Sequence, residues 1–187
     1  MVNFEDDASE QVKAEALKEI QSTENVTDAQ MGFVYTTKTY DDKVDETATV
    51  HVFDKENVSR EFNLRTRVGH KSISLTDDGV IINEKLAENL RVHIGDKITI
   101  EDAEGNPHEV NISGITEMYV NHFVLMSREY YKEVFGKDAG INTVYLSTMG
   151  DEAAQKLLAN QISTIQGVEG VLYTVDYWIT SILWSKV

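Results

Sequence analysis

The sequence predicts an α+β fold in which a β-rich middle is set between two flanks of mixed helix and strand. Three observations predict it. Apolar and polar residues alternate through the middle, as in Ala48-Thr49-Val50-His51-Val52 and Lys97-Ile98-Thr99-Ile100. Near the ends the apolar residues recur at helical spacing instead, at Ala8, Val12, Ala16, Leu17 and Ile20 and again at Ala154, Leu157, Leu158, Ile162 and Ile165. A chain of 187 residues, 41% hydrophobic and 26% charged, is long enough to bury the core of one ordinary domain or two small ones.

Asp6 and Asp7 stand at the start of the first helical run, where acid complements the helix dipole. A polar stretch, 21–30, follows. Met31, Phe33 and Tyr35 alternate with smaller residues and mark a strand, and the acidic turn Asp41-Asp42-Lys43 separates it from the strand around Ala48 to Val52. A third strand is expected over 58–68, with Phe62 and Leu64 on one face. Gly79 to Ile82 is a short buried strand, and Asn83 is placed to cap a helix carrying Leu86, Ala87 and Leu90. Gly95-Asp96 turns the chain into the strand 97–100. Glu104-Gly105-Asn106-Pro107 is a hairpin signal, and the return strand holds Val110, Ile112 and Ile115. After a strand from Phe123 to Met126, Ser127 caps a helix bearing Tyr130, Tyr131, Val134 and Phe135, which Gly136 stops. Thr143 to Leu146 is a strand, Asp151 begins the second helical run, Gly167 ends it, and Val168 to Val175 is the last strand. This strand–helix–strand unit matches half of a ferredoxin-like fold.

Charge and composition exclude several function classes. Lys and Arg number 17 against 32 acids, a net charge of −15, which repels phosphate backbones and argues against nucleic acid as a partner. The acidic surface suits cationic ligands and, equally, plain solubility. Cys is absent, which removes disulfides, thiolate metal sites and cysteine nucleophiles together. Gly136-Lys137 lacks the Gly five positions earlier that a phosphate loop needs; that position is Tyr131. His108-Glu109 lacks the second His of a zinc helix, and the five His are scattered, so neither a metal site nor a cofactor is expected. Asp102, Glu104 and Asn106 have calcium-loop spacing, but Pro107 stands where such a loop needs Gly, and a solvated hairpin tip accounts for them. Asp41, Asp42, Asp45 and Glu46 read as a turn kept soluble by its charge. No catalytic residue emerges.

No stretch reaches the roughly 18 apolar residues that span a bilayer. At the C-terminal end, Trp178, Ile179, Ile182, Leu183 and Trp184 fall within seven positions. Trp is enriched where a chain enters a membrane, which makes Trp178 and Trp184 candidates for membrane-proximal positions; a last amphipathic helix packed on the core is the alternative.

The segment from Gly79 to Phe135 resembles the extracytoplasmic domain of FtsX-like (MacB-like) ABC transporter permeases. The matching pieces come in order: Val80-Ile81-Ile82, Leu86-Ala87, Ile94-Gly95-Asp96-Lys97-Ile98-Thr99-Ile100, and Ile112-Ser113-Gly114-Ile115-Thr116-Glu117. Tyr119, His122 and the strand to Met126 follow, then Tyr131-Lys132-Glu133-Val134-Phe135 and Asn142-Thr143-Val144-Tyr145-Leu146. The variant it resembles most is the ectodomain of the large, many-spanning permeases of Gram-positive bacteria. About a third of the chain carries the distinctive pattern.

The resemblance implies a ferredoxin-like, porter-like αβ part with a β-rich, sabre-like small barrel inserted in it. The divisions expected are 1–70 with 140–187 for the first and 71–139 for the second. It implies an extracytoplasmic location at the cell membrane and no chemistry of its own. The partners are then the membrane-spanning remainder of the permease, a cytoplasmic ATP-binding subunit reached through it, and an extracellular ligand or protein. Tyr119 and His122, on a loop between strands, are the candidate contacts with that ligand or partner. Residues 1 and 187 are expected at one end of the molecule. Two other readings compete: a free-standing binding module built on the small barrel, and a carboxylate-dependent hydrolase whose site has no motif.

Overall fold

The computed structural model describes residues 1–40, 44–56, 62–118 and 121–172. The described residues fall into two compact units. The first takes Met1–Gly32 and the chain from Ile141 onward, and the second takes Phe33–Gly140. The mixed α/β character expected from the sequence is present in both.

The first unit is built from β1 (Val2–Phe4), α1 (Glu10–Ser22), the first half of β2 (Val26–Tyr40), β8 (Thr143–Thr148), α4 (Glu152–Ile162) and β9 (Val168–Val171). Its strands lie in the order β2-β8-β1-β9, all antiparallel. Ser9, not the aspartates before it, caps α1, its hydroxyl accepting from Val12 N at 3.3 Å. Asp151 caps α4 in the same way, accepting from Ala154 N at 2.9 Å. The buried faces of both helices meet β1 and β8 in a core of Val2, Phe4, Ala16, Ile20, Val144, Leu158, Ile162 and Ile165. Leu157, expected on that face, is 61% exposed. One helical step of about 100° turns it out while Leu158 takes the buried position. The strand β1 escapes a periodicity search because it has only three residues, yet Val2 and Phe4 are among the most buried in the chain.

The second unit continues with the rest of β2, then β3 (Asp45–Phe53), β4 (Val80–Asn83), α2 (Glu84–Leu90), β5 (Lys97–Glu101), β6 (Pro107–Thr116), β7 (Phe123–Ser127) and α3 (Arg128–Phe135). The pairings run β3-β7-β4-β6-β5-β2 and return from β2 to β3, so the ring of hydrogen-bonded strands closes on itself. β3 with β7 and β4 with β6 are parallel; the other pairs are antiparallel. Because side chains alternate along a strand, one face of each collects Val50, Val52, Val80, Ile82, Ile98, Ile100, Val110, Ile112, Val124 and Met126 in one core, with Leu86, Leu90, Tyr130 and Tyr131 from the helices. Burying each of these aliphatic side chains contributes about 2 kcal/mol. The unit begins at Phe33, and β2 and β3 are hydrogen-bonded members of its ring.

The polar stretch 21–30 ends α1 at Ser22 and starts β2 at Val26, where Asp28 and Gln30 pair with β8. Two local expectations change. The described part of the strand expected over 58–68 holds only an isolated bridge, Arg65 to Ser72. Gly69 and His70 have φ of 82° and 47°, a turn geometry that no strand continues through. Asn83 occupies the N-cap position of α2 but makes no capping bond, because its side chain is used elsewhere. By contrast, Ser127 caps α3 by accepting from Tyr130 N at 3.0 Å, and Gly136 ends it in the left-handed region.

Candidate functional site

Asn83 holds the candidate loop in place. It is fully buried, and its amide donates to the carbonyls of Met118 at 3.2 Å and Asn121 at 2.8 Å while its oxygen accepts from Phe123 N at 3.0 Å. One side chain at the end of β4 thus satisfies three backbone groups of the segment that leads into β7, which would otherwise be left without partners. Asn121 takes the left-handed conformation, with φ of 58°. The chain is then drawn back to β3 by the bond from Thr49 N to His122 O at 2.8 Å.

His122 lies where this loop meets β3. Its Nδ1 is 3.4 Å from Glu46 Oε2, and the other carboxylate oxygen of Glu46 accepts from Asn89 Nδ2 at 2.7 Å. The imidazole is 18% and the carboxylate 24% exposed, so the pair is set into the surface rather than on it. Beside it Thr47, Ala48, Thr49, Asn121 and His122 line an open cleft of about 330 Å³. Its chemistry is that of hydrogen bonding: two threonines, an asparagine and an imidazole steered by a carboxylate. Among the described residues no group of three His, Asp or Glu is placed to hold a metal ion. Of the four residues singled out in the sequence, only His122 can be placed; Tyr119, Trp178 and Trp184 lie outside the described residues. Glu46 and Asn89 were not legible as its companions, because positions 46, 89 and 122 meet only through the parallel pairing of β3 with β7 and the packing of α2.

The other motif with candidate chemistry is structural. The Asp102 carboxylate is buried at the β5–β6 turn and accepts from Glu104 N at 3.0 Å, Asn106 N at 2.8 Å and the Asn106 side-chain amide at 3.2 and 3.1 Å. Lys137 Nζ approaches it at 3.4 Å and also pairs with Glu104. Burial works against the charge on Asp102, but the bonds from Asn106 and the Lys137 cation outweigh it and hold the carboxyl well below the usual carboxylate range. Its acceptor sites are taken by the turn, so the calcium-like spacing of 102, 104 and 106 describes a hairpin.

One buried titratable group lies on the opposite face of β3 from the main core. His51 sits among Phe53, Phe62 and Phe123, with ring centroids 6.1, 5.7 and 5.2 Å away. Burial pushes its pKa down to about 3, so it is neutral near pH 7. Tyr35 is moved the other way: burial, reinforced by Tyr131 and the nearby acids, holds its hydroxyl far above the usual phenol range.

No family model and no curated protein matches the sequence. Solved structures do. The extracellular domain of the noncanonic ABC-type transporter YknZ from Gram-positive bacteria superimposes with a TM-score of 0.53 at 15% identity, over 92% of this chain and 99% of that one. The periplasmic region of MacB from Actinobacillus actinomycetemcomitans superimposes with a TM-score of 0.53 at 9% identity, over 97% of this chain and 90% of that one. The resemblance read from residues 79–135 therefore extends, as a fold, over nearly the whole chain: it has the fold of the extracytoplasmic domains of these ABC transporter permeases.

Proposed function

We propose that this chain is the extracytoplasmic domain of an FtsX-like, MacB-like ABC transporter permease of the Gram-positive type. It carries out no chemistry. Motion generated by ATP hydrolysis in a separate cytoplasmic subunit reaches it through the membrane-spanning remainder and is passed to an extracellular ligand or partner. The correspondence with two permease ectodomains over at least 90% of each of those chains is the observation that carries the reading.

Three features of the molecule support it. The first unit runs strand-helix-strand, strand-helix-strand with the order β2-β8-β1-β9, which we read as the ferredoxin-like, porter-like part. The ring of the second unit we read as the sabre-like small barrel, formed by residues 71–139 with the strands of 33–53 paired to them. Met1 and Leu172 are bonded to each other in both directions: the Met1 amino group donates to Leu172 O at 2.9 Å, and Leu172 N to Met1 O at 2.8 Å. A domain strung between two neighbouring membrane helices needs its entering and leaving chains side by side. Trp178 and Trp184 would then mark the approach to the lipid. The cleft at His122 is the proposed contact for ligand or partner, and Tyr119, three positions earlier in the sequence, is proposed with it. A rigid body moved between two positions can do mechanical work on such a contact through differences in binding between the states.

The parent reading frame tests this. The proposal expects an apolar span of about 20 residues shortly before residue 1 and another shortly after residue 187. A frame with no such span on either side overturns it. A second check is enzymatic: the purified chain should turn over neither ATP nor simple ester and peptide substrates, and activity that follows the pure protein contradicts a purely mechanical role.

A further inference from the structure

The strongest departure from the chain's acidic character is the hairpin end at residues 65–71, Arg-Thr-Arg-Val-Gly-His-Lys. It holds 3 of the 17 Lys and Arg and none of the 32 acids, which leaves the rest of the chain at −18. At its apex Val68 is 87% exposed, more than any other large hydrophobic residue in the described chain. A lone exposed valine needs no explanation, and neither does a lone cluster of cations. Their combination on a built and pinned turn does.

The turn is closed tightly. Thr66 N donates to Lys71 O at 2.9 Å, Lys71 N to Thr66 Oγ1 at 3.0 Å, and Thr66 Oγ1 to Val68 O at 3.0 Å. Arg65 is clamped to the end of β6: the buried Thr116 hydroxyl accepts from its N–H and donates to its carbonyl, both at 3.2 Å, and Glu117 N donates to the same carbonyl at 2.9 Å. The two arginines and His70 are held in place as well. Arg65 Nε donates to Glu117 Oε2 at 3.1 Å, His70 Nδ1 lies 3.8 Å from the same oxygen, and Arg67 Nη1 is 3.6 Å from Glu84 Oε2. Arg65 and Arg67 remain 43% and 58% exposed, so a partner can reach both guanidinium groups. His70 keeps a φ of 47°, a left-handed conformation uncommon for a non-glycine residue and maintained only by surrounding structure.

We propose that the 65–71 hairpin end is a docking element for an acidic protein partner, one that offers carboxylates to Arg65, Arg67 and Lys71 around a shallow apolar socket for Val68. Carboxylates match the planar guanidinium fork, and its preset position lowers the ordering cost of binding. A second copy of this chain is the competing occupant, and it would show itself as tip shifts that follow the chain's own concentration. An anionic bilayer fits less well. A plane draws the acidic remainder of the chain toward its own negative charge as the tip docks, whereas a compact protein needs to meet only the tip. The proposal does not depend on a membrane tether.

The test uses the whole chain, labelled with nitrogen-15, and the synthetic peptide Glu-Glu-Leu-Glu-Glu-Leu as probe. The proposal expects saturable amide shifts concentrated at 65–71 and 116–117. They should weaken at least about tenfold in the R67E/K71E double variant and about threefold in V68S, and fade in about 0.5 M salt. Both variants change exposed side chains, and an unchanged amide pattern elsewhere verifies their fold. Four results overturn it: no saturable shift at the tip, equal shifts in R67E/K71E, the same shifts with inorganic phosphate or phosphatidylglycerol vesicles at matched charge, or tip shifts that follow the chain's own concentration without any peptide.

Discussion

The two hairpin ends of the second unit, Asp102–Asn106 and Thr66–Lys71, are closed by the same kind of bond and use their charge in opposite directions. At the first, a buried carboxylate turns inward and accepts from the backbone and side chain of Asn106. At the second, a neutral hydroxyl, that of Thr66, closes the turn, and the charged groups stand around an exposed valine. A charge that serves the fold is desolvated and hydrogen-bonded; a charge that serves recognition is positioned and left wet. Sequence spacing does not separate the two. Both stretches are short, polar and rich in turn residues, and the difference lies in which polar atom closes the loop.

That contrast can be broken first with acid. His51 packs on Phe62, at the root of the basic hairpin, and burial holds its pKa near 3 against an ordinary value of 6.5. Between those values the unfolded chain binds a proton that the folded chain refuses. Stability is therefore complete above about pH 6.5 and falls by up to about 1.4 kcal/mol per pH unit as pH drops toward 3. Asp102, held below the usual carboxylate range, adds a loss in the same direction at lower pH, once unfolded carboxylates protonate. Urea midpoints across pH should follow this slope. His51→Leu should flatten the part above pH 4.5, and an unchanged slope would place the acid sensitivity elsewhere.

Asp102→Ala comes next. It removes the acceptor for Glu104 and Asn106 and should cost about 2 kcal/mol in urea or thermal unfolding. A loss below about 0.5 kcal/mol would mean that the turn holds without its carboxylate. Thr116→Val keeps the shape of the side chain and deletes both bonds to Arg65, for an expected loss of about 1 kcal/mol and faster hydrogen exchange at 64–73. If exchange there is unchanged, Thr116 does not clamp the arm. The smallest effect is the most diagnostic: R67E/K71E should leave stability within about 0.5 kcal/mol of the parent, because those charges are assigned to binding rather than folding. A cost near that of Asp102→Ala would erase the distinction between the two ends.

The strands from Val80 to Met126 could be read from the chain because strict alternation there reports a real one-sided core, and Ser127, Gly136 and Asp151 announce their helix ends by side-chain chemistry. Other features were hidden for physical reasons. The strand β1 is too short to show a period. The first half of β2 packs only Val26 and Ala29 on the core and spends its polar residues on bonds, with Thr27 Oγ1 donating to Ser147 O at 2.9 Å. Asn83 looks like a helix cap in one dimension and serves as a loop staple in three. The candidate site shows the same limit more sharply: His122 could be singled out as a loop residue, but its link to Glu46 and Asn89 exists only after the strands have paired. The basic hairpin end overlaps the last residues of a predicted strand, 58–68, and gained meaning only once Gly69 and His70 were seen to turn the chain.

The absence of Cys makes the central claim, that this domain faces the outside of a membrane-bound permease, open to a direct measurement. A cysteine at Asn160, exposed on α4, can be introduced into the parent protein in its own cells, with any cysteine outside this chain replaced by serine, and treated with a membrane-impermeant maleimide. The account predicts labelling in intact cells, in the membrane fraction, at the level seen after lysis. Labelling that requires lysis would contradict it.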